Sequence, residues 1–167
     1  GTWWEDELFT IPATDDTLAF KNAINYMKKG TFIVPRASYL LTDMIDFNKS
    51  NVDWKLCNSV FNFKLESDKD GVHFSPGNAR STLKDVFVIT SGDRCDLDNI
   101  TSQNTGRNGF TFYSQDYGWI ENLHAKHLAS YNVGLHGFYL YVGTGSGFIN
   151  ECVFVQCELR GCSVLAN

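Results

Sequence analysis

No run of basic residues and no long apolar stretch occurs anywhere in the 167 residues of this chain. The first absence removes the electrostatic footprint of a nucleic-acid binder, since 14 Lys and Arg stand against 19 Asp and Glu for a net charge of -5. The second excludes a helical membrane span, which needs roughly 18 to 20 consecutive apolar residues. The N-terminal segment also lacks the basic start and apolar stretch of a secretory leader. Neutral glycans or protein surfaces are the partners that this balance favours. The five cysteines, Cys57, Cys95, Cys152, Cys157 and Cys162, are odd in number and form no close pairs of zinc-site spacing. They read as thiols serving as small apolar groups, made in a reducing compartment. The glycine-rich run Gly143-Thr144-Gly145-Ser146-Gly147 lacks the lysine of a phosphate-binding loop and no helical pattern follows it, so it reads as a turn. His73, His124, His127 and His136 are too dispersed to define a metal site, and neither metal nor cofactor is expected. The sequons at Asn48 and Asn99 would suit a secreted protein, but such tripeptides arise often by chance.

What is present is a globular composition, 43% hydrophobic with 14% aromatics, on a chain long enough to bury a core. Residues 1–13, with Trp3 and Trp4 beside Glu5, Asp6 and Glu7, read as an irregular lead-in. From residue 14 to 167 the chain reads as one domain. Thr14, Asp15 and Asp16 supply N-cap oxygens, and Phe20, Ala23, Ile24 and Met27 recur at helical spacing until Lys28, Lys29 and Gly30 end a helix over residues 15–29. Short strands at Thr31–Val34 and Ser38–Thr42 follow.

Two interleaved patterns then fill the second half. One places apolar residues around an Asx-like position, as in Leu83–Val88, Leu97–Ser102, Ile120–Ala125 and Ile149–Phe154. The other puts a glycine before apolar residues two apart, as in Gly71–Phe74, Gly109–Phe112, Gly137–Leu140 and Gly161–Val164. Steps of roughly 11 or 12 residues between them give a turn of about 24 residues, the signature of a solenoid whose coils are each too small to bury their own apolar face. Phe110, Phe112, Ile120, Leu123, Phe138, Leu140, Ile149, Cys152, Phe154, Cys162 and Val164 hold the inward slots. Asn99, Asn122 and Glu151 stack at the bend, where side-chain amides satisfy turn backbone groups. The segment at Leu83 precedes Leu97 by too little for a whole coil and is assigned to a different face.

Thr14–Phe20 with Ala23-Ile24, Gly30–Pro35 and Tyr39-Leu40-Leu41, taken with the rung pattern over 71–164, resembles the start and body of pectate-lyase superfamily β-helices, found in polygalacturonases and phage tailspikes. The resemblance implies an all-β fold, a right-handed parallel β-helix with a short N-terminal capping helix. It also implies either a homotrimeric virion spike that recognises a host-surface polysaccharide beside other virion proteins, or a secreted polysaccharide hydrolase or lyase. Polygalacturonase-like enzymes carry Asn-Thr-Asp, Asp-Asp and Gly-His-Gly motifs; this chain has Asn104-Thr105-Gly106 and Leu135-His136-Gly137 without the paired aspartates, so the spike reading leads. The last residues, Val164 to Asn167, fall within a rung without a polar cap, and either a longer chain or another subunit is expected to cover the end. If Leu97 and Ile120 lie on neighbouring coils, Asp98 and Glu121 share an outward column about 5 Å apart, the separation of a retaining glycosidase pair; the plainer reading is a solvated acidic stripe neutralised by Lys84 or Lys126. Tyr117, Trp119, Tyr139 and Tyr141 are the candidate sugar-stacking residues, and they equally suit loop packing or a subunit interface.

Overall fold

A computed structural model describes residues 14–50, 52–56, 59–63, 69–76, 82–84, 87–89, 100–114, 117–143, 145–160 and 163–166. The lead-in, Cys57, Cys95, Cys162, Leu97, Asp98 and Asn99 lie outside them, as does the burial of Val164. Among the described residues the chain is built of strands with one helix, α1 (Thr17–Tyr26). No helix of the described residues is long and apolar enough to cross a membrane.

The strands fall into four sheets, and every pairing among the described residues is parallel. Sheet I holds β1 (Gly30–Ile33), β4 (Val52–Lys55), β8 (Phe87–Ile89), β12 (His124–Lys126) and β16 (Val153–Val155). Sheet II holds β2 (Ser38–Leu41), β5 (Val60–Phe63), β9 (Ile100–Gln103), β13 (Leu128–Tyr131) and β17 (Glu158–Arg160). Sheet III holds β3 (Ile45–Phe47), β6 (Val72–Phe74), β10 (Phe110–Ser114), β14 (His136–Val142) and β18 (Ser163–Ala166). Sheet IV holds β7 (Thr82–Lys84), β11 (Trp119–Glu121) and β15 (Phe148–Asn150). From β4 onward the chain visits sheets I, II, III and IV in turn and returns to sheet I, and none of these strands pairs with its neighbour in sequence.

The repeat differs from the sequence expectation in length. Phe110 pairs with Phe138 and Ile120 with Ile149, so the circuit in the second half is longer than expected. At the start, Gly30 pairs with Val52, a shorter circuit whose described residues contribute no strand to sheet IV. The short steps between the two patterns are real, but each circuit in the second half carries four strands, and the links past Leu123 and His127 lengthen it. The assignment of the Leu83 segment also changes. Leu83 is the register partner of Ile120, while Ile100 of the Leu97 segment pairs with Leu128 in sheet II.

Alternation sends one side of each strand into a shared core. Phe47, Phe74 and Phe112 are register partners and fully buried, their rings stacked at 5.3 Å and again at 5.3 Å, with Trp54 against Phe47 at 4.9 Å. Of the expected inward residues, Phe110, Phe112, Ile120, Leu123 and Phe138 are buried. Leu140, Ile149, Cys152 and Phe154 are half-buried against the same cluster. Ile149 and Phe154 belong to strands at sheet edges, each with one neighbour instead of two.

Helix α1 covers the first strands with Phe20 and Ile24, whereas Ala23 is exposed and Met27 half-buried. Its expected caps act differently. Asp16 makes no side-chain cap, and instead its amide donates to Leu40 O at 2.9 Å while its Oδ2 accepts from Leu40 N. Asp15 accepts from Thr17 N at 3.0 Å and from Thr42 Oγ1 at 2.6 Å. The aspartates tie the helix to β2, because a free strand edge there offers donors and acceptors that must be satisfied.

Bends between sheets use left-handed backbone at equivalent places on successive circuits: Asn122 and Glu151 (φ 55 and 53), His127 and Gln156 (53 and 51), Asn104 and Asn132 (59 and 50). Asparagine tolerates this region better than most residues. The asparagine ladder runs at a different bend from the one expected: Asn132 Nδ2 donates to Asn104 Oδ1 and Asn104 Nδ2 to Asn62 Oδ1, both at 2.7 Å. Asn122 instead bonds His124 Nε2 at 2.8 Å, so His124 and His127 serve the turns.

The glycines before sheet III are required by close approach. A Cβ at Gly109 would overlap Ser130 Oγ and lie 3.0 Å from Gly137 O, and one at Gly71 would lie 2.8 Å from Gly109 O. Gly109→Ala is expected to lower unfolding free energy by roughly 1–3 kcal/mol, the range for overpacking a filled core. An unchanged urea midpoint would contradict the close approach.

Candidate functional site

The outer face of sheet III is set by the same alternation that fills the core. With Ile45, Val72, Phe110 and Phe138 inward, the next residues Asp46, His73, Thr111 and Tyr139 form one outward column of register partners. Tyr113 and Tyr141 pair two residues further along. Their rings stack at 5.3 Å and 19°, and Tyr139 stacks on Tyr141 at 5.6 Å and 9°. His73 approaches Tyr113 at 5.9 Å, and His136 meets Tyr139 edge-on at 5.7 Å. These tyrosines wall a groove of about 540 Å³, with His73 and Thr111 on its floor.

The rim comes from the turns that lead into sheet III, and it is charged. Asp43 accepts from Lys21 Nζ at 2.5 Å, from Lys69 Nζ at 2.7 Å and from Met44 N at 2.9 Å. Burial pushes the Asp43 carboxyl upward, but the hydrogen bonds from Lys21 and Lys69 outweigh it and hold the group at about 2. Asp70 Oδ1 accepts from Asn108 N at 3.2 Å and Asn108 Nδ2 at 2.9 Å, and Arg107 Nε stands 3.9 Å from the same oxygen. Asp46 accepts from Ser75 Oγ at 2.8 and 3.0 Å and lies 3.4 Å from His73 Nδ1. Thr111 Oγ1 is buried with no hydrogen-bond partner among the described residues.

The structure divides the sequence candidates. Tyr139 and Tyr141 wall the groove. Tyr117 and Trp119 lie instead on the sheet IV side, both exposed, Trp119 stacked on Phe148 at 5.0 Å and donating to Ser146 O at 3.3 Å. Tyr117 sits over Gly145 with φ 61. Glu121 lies in a sheet IV column between Lys84 and Asn150, with Lys84 Nζ 3.8 Å from Glu121 Oε2. The preceding register partner of Glu121 is thus a lysine, because Leu83 pairs with Ile120. Asp98 itself lies outside the described residues.

Sequence reasoning missed Tyr113, His73, Arg107, Lys69 and Asp43. Tyr113 was legible: Thr111 and Tyr113 precede Tyr139 and Tyr141 by one circuit. Of the rim residues, Lys69 and Arg107 stand two residues before Gly71 and Gly109, whereas Asp43 precedes a strand with no such glycine. Among the described residues no group of three or more His, Cys, Asp or Glu is placed to hold a metal ion. Cys152 and Cys157 are free thiols that burial pushes up, away from reactive thiolate.

No protein-family model, curated protein or solved structure matches this chain.

The Asp43 ion pairs make stability depend on acid pH. A carboxyl lowered on folding from its ordinary 3.8 to about 2 contributes stability that is present above pH 4 and lost as pH falls towards 2. Because Lys21 and Lys69 are substantially exposed, solvent screening reduces this to about 1 kcal/mol. Asp43→Asn is expected to flatten the unfolding free energy between pH 4 and pH 2 by that amount. A slope equal to that of the unaltered chain would show that the pairs do not stabilise the fold.

Proposed function

We propose that the chain is a right-handed parallel β-helix of the pectate-lyase and tailspike kind, and that its sheet III groove grips a polysaccharide on a host surface as part of a homotrimeric virion spike. Three features support the β-helix: strands that circulate through four parallel sheets, a helix over the first strands, and the strong preference of parallel crossovers for the right hand. The observation that carries the functional reading is the groove itself. Three tyrosines wall a cleft of about 540 Å³, and ring faces and hydroxyls of that kind suit the apolar faces and hydroxyl edges of sugars. Strand columns along the coil axis also form an extended track, as a linear polymer requires.

Recognition is favoured over cleavage at Asp43, the groove carboxylate that two lysines hold ionised. A glycosidase acid must keep its proton near neutral pH, which calls for an environment that raises its pKa.

Glycan-array screening of the chain, followed by titration with the oligosaccharide that binds, tests this reading. Tyr141→Ala is expected to weaken binding about tenfold, the loss of roughly 1.4 kcal/mol of ring contact. Unchanged affinity would remove the groove as the binding site, and release of reducing ends from the bound glycan would favour a hydrolase.

A further inference from the structure

We infer that the unit of the ligand seated beside the tyrosines carries an oxyanion, a sugar carboxylate or a phosphate, gripped by Arg107; this rests on the groove being a glycan site. Arg107 lines the groove with its side chain 56% exposed. Its one ion-pair partner among the described residues is Asp70, 3.9 Å from Nε, and the oxygen it faces already accepts two hydrogen bonds from Asn108. Asp70 is therefore near the guanidinium but does not engage its fork of donors. A planar fork of donors is the side-chain geometry that fits a carboxylate or phosphate through two parallel hydrogen bonds.

The charged groups lining the groove balance, Lys69 and Arg107 against Asp43 and Asp70, on a chain whose net charge is -5. Asp46, further along the floor column, engages its oxygens with Ser75 and His73. Lys69 is also fastened to Asp43 at 2.7 Å, so this second cation is positioned before a ligand arrives. The expectation of a neutral glycan, drawn from net charge, overlooks these two cations, because the field at a cleft is set by the groups lining it.

Calorimetric titration at low and high salt separates the possibilities, with three probes: a tetrasaccharide of hexuronic acid, its carboxyl-reduced neutral counterpart, and a hexose 1-phosphate. The uronide or the phosphate is expected to bind at least tenfold more tightly than the neutral sugar at low salt, with the preference shrinking at high salt. Whichever anion binds more tightly identifies its source. Arg107→Gln should abolish the preference, lowering affinity for the anionic probe at least tenfold more than affinity for the neutral sugar, and Arg107→Lys should restore only part of it. Equal affinity for charged and neutral probes, or a preference that survives Arg107→Gln, overturns the inference. If Tyr141→Ala still weakens binding in that case, the groove reading stands and only the oxyanion is lost. Failure of all three probes to bind the unaltered chain removes both.

Discussion

In-register parallel pairing, each strand lying on its counterpart one circuit earlier, is the constraint from which the rest of this structure follows. At the strand spacing of about 4.8 Å, whatever a residue does on one circuit is imposed on its register partner in the next. Phenylalanine stacks on phenylalanine at 47, 74 and 112, and asparagine bonds asparagine at 62, 104 and 132. Left-handed bends recur above one another, and glycines 71 and 109 stand where backbones pass too closely for a Cβ. A column of like charges at that spacing would repel. The outward columns avoid it: Lys84, Glu121 and Asn150 in one, Asp46, His73, Thr111 and Tyr139 in another.

The same constraint builds the groove from an alternation whose first purpose is to fill the core. Once Phe110 and Phe112 turn inward, Thr111 and Tyr113 must turn outward, and Phe138 and Leu140 place Tyr139 and Tyr141 beside them. Strand columns supply the rigid wall, and the turns leading into sheet III supply the charges. Lys21 reaches Asp43 from α1, so the helix that covers the first strands also fixes one end of the rim.

How far the sequence reveals this depends on whether a residue lies in the repeat. The inward apolar slots, the glycine column, the bend at Asn122 and Glu151, the helix and the first two strands are all legible from spacing. Register is not, because the Leu83 and Leu97 segments share one pattern while belonging to sheets IV and II. An apolar-Asx-apolar segment marks a bent strand pair anywhere in the sequence of sheets, and only the spacing between register partners decides which pair lies beside which. That ambiguity produced the expected pairing of Asp98 with Glu121, where Lys84 occupies the neighbouring position. The rim was hidden for a different reason: Lys69 and Arg107 each stand two residues before a rung glycine, but the repeat fixes their place and not the charge that Asp43 brings beside them.

The circuit itself is open to direct measurement in a chain of this size. In parallel sheets, alpha protons lie close to amide protons of the partner strand. Nuclear Overhauser contacts are therefore expected between β10 and β14 around Phe110 and Phe138, and between β11 and β15 around Ile120 and Ile149. Contacts that instead joined β10 to β11 as an antiparallel hairpin would contradict the in-register stack and the groove built upon it.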